Sequence, residues 1–510
     1  MRSFPRRTLC LATTCVLLSG CSYLQPKPYS EEERQQRISA DRVQMYGGQE
    51  PVTGPITFYE AVARSLKYNL DYRLKLMESA LAANLRDVSN YEMLPRLVAS
   101  AGYAGRNNDS GGTSIGIEDR QESLRASTSQ ERYRDIAGLG LSWSVLDFGV
   151  AYYRSQQKND AILMAEERRH KVAQNVLQDV SNAYWRALSA QRMLPDVNRL
   201  LQRTQEALDA ARQAENKGLL PREEILSYQR ALIDSVYLLT VRRQDLEFAQ
   251  AELSALMSLP PGTHLVLADQ PEPPLPILDS DINRLEQLSL EHRPEIMEEW
   301  YRKRVNQTDL TIAKTQLWPN IGVNFGYQYD SNKYLYENHW SDTGVNVSLN
   351  LLKLLQYPDL NAAQENQEKV DDARRVALSM AILTQVRVGA LRYQLAAQEV
   401  AFADESLRVD QSLLDYTRAA KTSNYGSELE VIRSEGRYLL SRYQREAAYS
   451  RAQAAWSRLY NSVGLEVLPD EVESQDIRSL TQEIQRTLTA QQNQNLLTAP
   501  QGQRHATPAQ

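Results

Sequence analysis

The stretch GLGLSWSVL at residues 138–146 and the stretch GVNVSLNLL at residues 344–352 decide the fold. In both, apolar residues alternate with small or polar ones at a period of two, which is typical of a strand whose two faces meet different surroundings. The sequence alternates in the same way at two further places. It therefore predicts four strands, at about residues 97–105, 138–146, 320–330 and 343–352, each near the roughly 9–11 residues that a tilted strand needs to cross a bilayer.

The alternation gives each predicted strand one apolar face and one small or polar face, as a water-filled barrel in a membrane requires. We expect the following side chains to face lipid: Leu141, Trp143, Val323, Phe325, Tyr327, Val347 and Leu349. Four strands cannot close on themselves in lipid, because each unpaired backbone group there costs several kcal/mol. A membrane barrel would therefore be shared between chains, and a soluble β-sandwich edge is the alternative at this stage.

The chain is an internal duplication. A shift of 319 − 95 = 224 residues places Pro95 on Pro319, and further along a shift of 345 − 139 = 206 places Leu139 on Val345. The difference between the two shifts, 224 − 206 = 18, indicates one insertion in the first half, between Gly105 and Leu139.

Long helices fill most of the remaining sequence. Between residues 151 and 216 Pro195 is the only proline, glycine is absent, and apolar residues recur at helical spacing. At ~1.5 Å per residue, such a helix is roughly 100 Å long, a length typical of an extended coiled coil. The predicted helices, which form antiparallel pairs, cover about residues 151–216, 222–256, 358–421 and 427–461.

The N-terminus has the features of an export signal. Arg2, Arg6 and Arg7 precede a short apolar stretch at residues 8–18. Leu18-Ser19-Gly20-Cys21 then resembles a bacterial lipobox, in which Cys21 becomes the acylated first residue of the mature chain. Ser22 after it, by resemblance to bacterial lipoproteins, favours the outer membrane over the inner one.

Composition and motifs argue against several classes of function. The sequence has 58 Lys and Arg against 64 Asp and Glu, so it predicts no nucleic-acid partner. Mean hydropathy is −0.52, and no apolar run reaches 18 residues, which excludes a helical membrane protein. The five histidines are scattered, so we expect no metal and no cofactor. Residues 112–116 fit G-x-S-x-G but lie in the polar insertion, so we predict no catalytic residues and no enzyme.

Together these features resemble the TolC-like outer-membrane factor family over roughly residues 56–465. The resemblance rests on Cys21, on Leu94-Pro95 and Trp318-Pro319 before strands, on Leu146-Asp147-Phe148-Gly149, and on turns near Gly218 and Gly426. It implies a mainly helical fold with β-strands in a homotrimer, in which twelve strands, four per chain, form one outer-membrane barrel and twelve helices continue it as a periplasmic α-barrel.

The function implied by the resemblance is that of the outer-membrane exit duct of a tripartite efflux pump in a Gram-negative bacterium. The implied partners are two further copies of the chain, a periplasmic adaptor (membrane fusion) protein, an inner-membrane transporter and outer-membrane lipid. Two alternatives stay open: the outer-membrane component of a type I secretion system for protein or polysaccharide, and a lipid-tethered structural coiled-coil lipoprotein without a channel.

The resemblance also places a periplasmic gate. It assigns the gate to Glu430 and Arg433, with Glu224 as the equivalent in the first half. Residues i and i+3 share a helix face, so three copies of the pair would form a charged ring. An ordinary surface pair is the alternative. By family analogy the adaptor contacts the tips of the helical pairs, at Gly218, Leu219, Pro221, Tyr425 and Gly426.

The expected organisation follows from these assignments. We expect a lipoprotein signal peptide at 1–20, an N-terminal tether or equatorial segment at 21–55, a first repeat at 56–256, a Pro-rich linker at 257–280, a second repeat at 281–462 and an equatorial or disordered tail at 463–510. Pro358 is expected to form the bend between barrel and tunnel in the second repeat, and the insertion at 106–135 is expected to face the outside.

Overall fold

The computed structural model describes residues 28–123, 125–217, 221–260, 262–263, 265–278, 281–423, 428–467 and 476–493. Within these described residues, those up to Pro51 and those from Val52 onward form two separate compact units. The first unit contains helix α1 (Glu31–Tyr46). Its start is set by a capping box: the Glu33 amide donates to Ser30 Oγ at 3.2 Å and the Ser30 amide donates to Glu33 Oε2 at 2.9 Å.

The second unit repeats one order of elements: two helices, two strands and two long helices. Its first repeat contains α2 (Phe58–Tyr68), α3 (Leu70–Tyr91), β1 (Arg96–Gly105), β2 (Tyr133–Ser144), α4 (Val145–Asn216) and α5 (Arg222–Leu256). Its second repeat contains α6 (Ile282–His292), α7 (Pro294–Thr315), β3 (Asn320–Asp330), β4 (His339–Ser348), a 3-10 helix (Leu351–Gln356), α8 (Tyr357–Thr422) and α9 (Glu428–Val463), and α10 (Ile477–Asn493) follows. The predicted fold class, mainly helical with a small antiparallel sheet, is confirmed.

The four strands form one antiparallel sheet in the order β1-β2-β3-β4. Leu139 of β2 lies opposite Tyr327 of β3, and Val323 of β3 lies opposite Val345 of β4. The strands of the two repeats therefore meet in the centre of the sheet, and one strand of each repeat lies at an edge.

The main hydrophobic core forms where the short helices α2, α6 and α10 pack around the middle of α4 and α8 and the C-terminal end of α9. We call it the equatorial core. Its side chains come from all six of these helices, and among those with no exposed surface are Val62, Val180, Ala183, Leu285, Val386, Leu459 and Ile484. Burial of apolar surface stabilises a fold by about 25 cal/mol per Å². This core is therefore the main stabilising feature of the second unit.

In each repeat the first long helix, α4 or α8, begins close to the end of a strand. Ser144, the last residue of β2, accepts a hydrogen bond from the Asp147 amide at 3.0 Å and so caps α4. In the second repeat the 3-10 helix separates β4 from α8, and Pro358 lies in the first turn of α8, where its missing N–H costs nothing. Among the described residues, no helix is both long and apolar enough to cross a membrane.

Several predicted boundaries were wrong. The helix predicted from residue 151 begins at Val145, because the Ser144 cap lets it start directly after β2, so the predicted strand 138–146 ends two residues early. The strand predicted at 343–352 ends at Ser348, where β3 has no further residue to pair with it, and Leu349 therefore lies outside the sheet.

The segment at 463–510, predicted as an equatorial or disordered tail, contributes a helix to the equatorial core. It contains α10, whose side chains Leu480, Ile484 and Leu488 are buried in the equatorial core. Because these residues recur every four positions, they form one apolar face of a helix. That face packs mainly against α2, so the segment adds to the core of the second unit.

Candidate channel wall and gate

The register of the sheet collects apolar side chains on one face, since residues directly opposite in neighbouring strands share a face and successive residues alternate. The apolar face carries Leu97, Ala99, Ala101, Leu139, Leu141, Trp143, Ile321, Val323, Phe325, Tyr327, Val345 and Val347. Phe325 is 46% exposed and Val347 is 68% exposed in the single chain. An apolar surface of this extent marks an interaction site.

Six of the seven side chains predicted to face lipid lie on this apolar face. They are Leu141, Trp143, Val323, Phe325, Tyr327 and Val347. The seventh, Leu349, follows the end of β4.

On the opposite face, glycines lie across from amide side chains. Gly322 pairs with Asn346, and Gly344 pairs with Asn324. A Cβ atom added to Gly322 would lie 2.5 Å from Asn346 Oδ1, and one added to Gly344 would lie 2.8 Å from Asn324 Oδ1. Each amide therefore lies over the glycine of the next strand, and this pairing, which we did not predict, explains the Gly-Asn pattern of β3 and β4.

The predicted gate residues lie at one end of the long helices. Glu224 is in the first turn of α5, and Glu430 and Arg433 are in the first two turns of α9. All three side chains are exposed. A small cluster that includes Leu208 of α4, Leu232 of α5 and Ile432 of α9 packs nearby, so these helices meet at that end.

Other predicted sites lie mostly outside the described residues. These are Cys21, Gly218, Leu219, Tyr425 and Gly426. Pro221 is described and directly precedes α5.

An ion-pair network that the sequence analysis missed joins the two repeats near the same end. Arg203 of α4 donates from Nε to Glu428 Oε1 at 3.0 Å and from Nη1 to Glu435 Oε2 at 2.6 Å. Arg418 and Lys421 of α8 pair with the same two carboxylates. Exposed ion pairs are worth little singly, but a network of five groups restrains the helices that carry it.

Two carboxyl groups further along the wall have opposite pKa shifts. Burial would raise the pKa of Glu295, but hydrogen bonds from Arg293 and the ammonium of Lys171, 3.0 Å away, outweigh it and lower the pKa to about 2. Burial, followed by the nearby carboxylates of Glu466, Glu166 and Glu298, raises the pKa of Glu167 to about 7.

Comparison with known proteins bears on the resemblance drawn from the sequence. Residues 77–258 match the model of the family described as outer membrane efflux protein. The structure is similar to the Campylobacter jejuni CmeC outer membrane channel, with a TM-score of 0.63, 12% identity, and coverage of 90% of this chain and 97% of that one. The resemblance to the TolC-like outer-membrane factor family is confirmed.

Two further outer-membrane factors have a similar fold. The open state of the Neisseria gonorrhoeae MtrE outer membrane channel has a TM-score of 0.60 at 14% identity, covering 82% of this chain and 94% of that one. The outer membrane protein VceC from Vibrio cholerae has a TM-score of 0.57 at 13% identity, covering 80% and 96%. Among curated proteins, none matches the sequence significantly.

The insertion of this chain forms an irregular hairpin between β1 and β2. Gly112 pairs with Ser127 and Ile115 pairs with Glu122, so the G-x-S-x-G pattern lies in one arm of that hairpin rather than between a strand and a helix. In the described part of the chain, no group of three or more His, Cys, Asp or Glu side chains is placed to hold a metal ion.

Proposed function

We propose that this outer-membrane factor is the exit duct of a tripartite efflux pump, a passive channel that carries small molecules from the periplasm to the outside and catalyses no reaction. The observation that carries the proposal is the sheet: one face is apolar, and its edge strands β1 and β4 each pair with a single strand in the described part of the chain. Since unpaired backbone groups in lipid cost several kcal/mol each, the two edges need partners. Three copies supply them by closing one twelve-stranded barrel.

The long helices continue the duct on the periplasmic side. In the proposed trimer, α4, α5, α8 and α9 of each copy contribute to a wall of twelve helices. Acylated Cys21 anchors each chain in outer-membrane lipid. The partners are a periplasmic adaptor, which contacts the tips at Gly218, Leu219, Pro221, Tyr425 and Gly426, and an inner-membrane transporter. The match to the outer membrane efflux protein family supports efflux over secretion.

The gate of the proposed duct is a ring of Glu430 and Arg433 from three chains, with Glu224 beside it. Two features support this placement: the three side chains are exposed, and they lie where α4, α5 and α9 meet. Opposite charges on neighbouring chains would hold the aperture closed. A partner that competes for these charges would open it.

Single-channel conductance in a planar bilayer tests the duct and the gate together. The gate variant is Glu430→Ala with Arg433→Ala. Its matched control is Glu405→Ala with Arg408→Ala, which removes another exposed i,i+3 pair, from α8. We expect small, mostly closed currents for the wild type and the control, and larger and longer openings for the gate variant.

The other outcomes separate the two parts of the proposal. Large currents of equal size in all three proteins would retain the duct and exclude this gate. If the purified protein forms no channel at all, the exit duct is wrong and the tethered structural lipoprotein takes its place.

A further inference from the structure

The middle of the helical wall has a polar face on the side away from the equatorial core. On α4, Val176, Val180 and Ala183 are buried in that core. Polar residues recur at spacings of four, three and four on the other side of the same helix: Lys171, Asn175, Gln178 and Asn182. Arg392 of α8 and Arg458 of α9 lie beside this stripe, and both are exposed.

Three cavities of about 340, 400 and 320 Å³ follow one another along this face, between α4 and α9. The first two share Gln178, Arg392 and Arg458, and the second and third share Asn182 and Arg451. They therefore form one groove. The short helices α2, α6 and α10 cover the opposite side of these long helices, so in the proposed ring of twelve helices the groove would face the enclosed side.

The floor of the groove is rich in hydrogen-bond donors. Asn461 Nδ2 donates to Asn175 Oδ1 at 2.9 Å and to Gln178 Oε1 at 3.1 Å, and Lys171 Nζ donates to Asn461 Oδ1 at 2.8 Å. These bonds use the oxygen of each of the three amides. The groups that can still bind a ligand are therefore the NH₂ groups of Asn175 and Gln178 and the guanidinium groups of Arg392 and Arg458. All of these groups are hydrogen-bond donors.

The charges around the groove also favour an anion. Lys171 is held by Glu295 at 3.0 Å, whereas Arg392 and Arg458 lie together where the first two cavities join. Asp179 is the carboxylate that lines this part of the groove. Burial and the charge of Glu252 raise the pKa of Asp179, and Arg458 acts in the opposite direction. Two guanidinium groups against one carboxylate leave this part of the groove positive.

We infer that Arg392 and Arg458 form an anion-binding site in the tunnel wall, which takes a carboxylate or phosphate group of a passing solute. Guanidinium groups bind both through paired, charge-assisted hydrogen bonds. Three copies would form a ring, and rings of Arg or Lys give pores a preference for anions. The inference rests on the proposed function, because the groove lines a tunnel only in the trimer.

The reversal potential in a planar bilayer under a KCl gradient at low ionic strength tests the site. The groove variant is Arg392→Gln with Arg458→Gln. The control, Arg387→Gln with Arg408→Gln, removes two exposed arginines that lie elsewhere on α8 and pair with Glu286 and Glu405. We expect the ratio of chloride to potassium permeability to fall by a factor of about three or more in the groove variant and to stay at the wild-type value in the control.

A second readout tests binding and separates the two ligand classes. Inorganic phosphate or benzoate is added on one side, and the potassium current is followed in wild type and groove variant. A decrease in the potassium current that occurs in the wild type but not in the groove variant supports the site. The anion that causes the decrease identifies the ligand class as phosphate or carboxylate. An unchanged permeability ratio and no decrease with either anion, in channels that conduct normally, would overturn the inference and leave the duct intact. Absence of any channel would instead count against the proposed function.

Discussion

The equatorial core and the sheet use similar apolar side chains in opposite ways. In the core, Val180, Ala183 and Leu459 have no exposed surface within a single chain. In the sheet, Phe325 and Val347 keep 46% and 68% of their surface exposed. One chain therefore completes its helical core by itself, whereas the apolar face of its sheet stays uncovered and, in the proposed trimer, would be covered by lipid. We therefore expect folding of the helical region and formation of the proposed barrel to be separable steps.

The largest expected effect is a core substitution. Leu459→Ala removes a fully buried side chain and leaves a cavity, so we expect a loss of about 2–5 kcal/mol in the stability of the helical region. Thermal unfolding of the purified protein, followed by helical circular dichroism, measures this. Val347→Ala in β4 is the contrasting variant and should leave the helical transition almost unchanged. Equal shifts for both variants would show that core and sheet unfold as one unit.

A charged side chain should destabilise the sheet on its apolar face but not on its polar face. Phe325→Lys places an ammonium on the apolar face, where lysine in a lipid-facing strand costs about 2–4 kcal/mol near the bilayer midplane. Asn324→Lys, one residue earlier on the polar face, should be tolerated. The yield of heat-resistant trimer from outer membranes compares the two. A similar loss of trimer in both variants would contradict the assignment of the faces.

The smallest expected effect is pH-dependent and concerns the helical wall alone. Because the pKa of Glu167 is raised from 4.5 to about 7, the folded state loses stability as pH rises from about 4.5 to about 7. Glu167→Gln removes this loss and should stabilise the protein by about 1 kcal/mol at pH 8, less than the full pKa shift implies because solvent screens this partly exposed group. Below about pH 4 wild type and variant should be equal, since Glu167 is then protonated in both folded and unfolded states.

Unfolding temperatures measured at pH 4 and pH 8 check this. His170 Nδ1 lies 3.9 Å from Glu167, and the carboxylates that face Glu167 belong to Glu166, Glu298 and Glu466. Glu298→Gln is a useful comparison, because it removes one of these charges and should give a smaller gain with the same pH dependence. A gain at pH 4 as large as that at pH 8 would exclude the electrostatic explanation.

Local periodicity was enough to predict the two faces of the sheet but not the end of a strand. Leu349 continues the alternation of β4, yet β3 begins at Asn320, whose partner is Ser348. The strand therefore ends where its neighbour ends. That limit depends on a contact between distant segments, and no window of sequence contains it.

Some missed helices had local signals. Thr57 Oγ1 accepts from the Glu60 amide at 3.2 Å and caps α2, and Asp281 Oδ1 accepts from the Asn283 amide at 3.0 Å and caps α6. Both are residue types that favour helix starts. The network around Arg203 had no such signal, because its partner Glu428 is 225 positions away in the other repeat.

The unpaired edges of the sheet have a genetic consequence. If every barrel needs the edges of three chains, a variant that still assembles but blocks the passage inactivates each channel that contains one copy. With equal amounts of normal and blocked chains and random mixing, only about one trimer in eight is free of the variant. Mutations of this kind should behave as dominant, whereas mutations that prevent the sheet from pairing should behave as recessive.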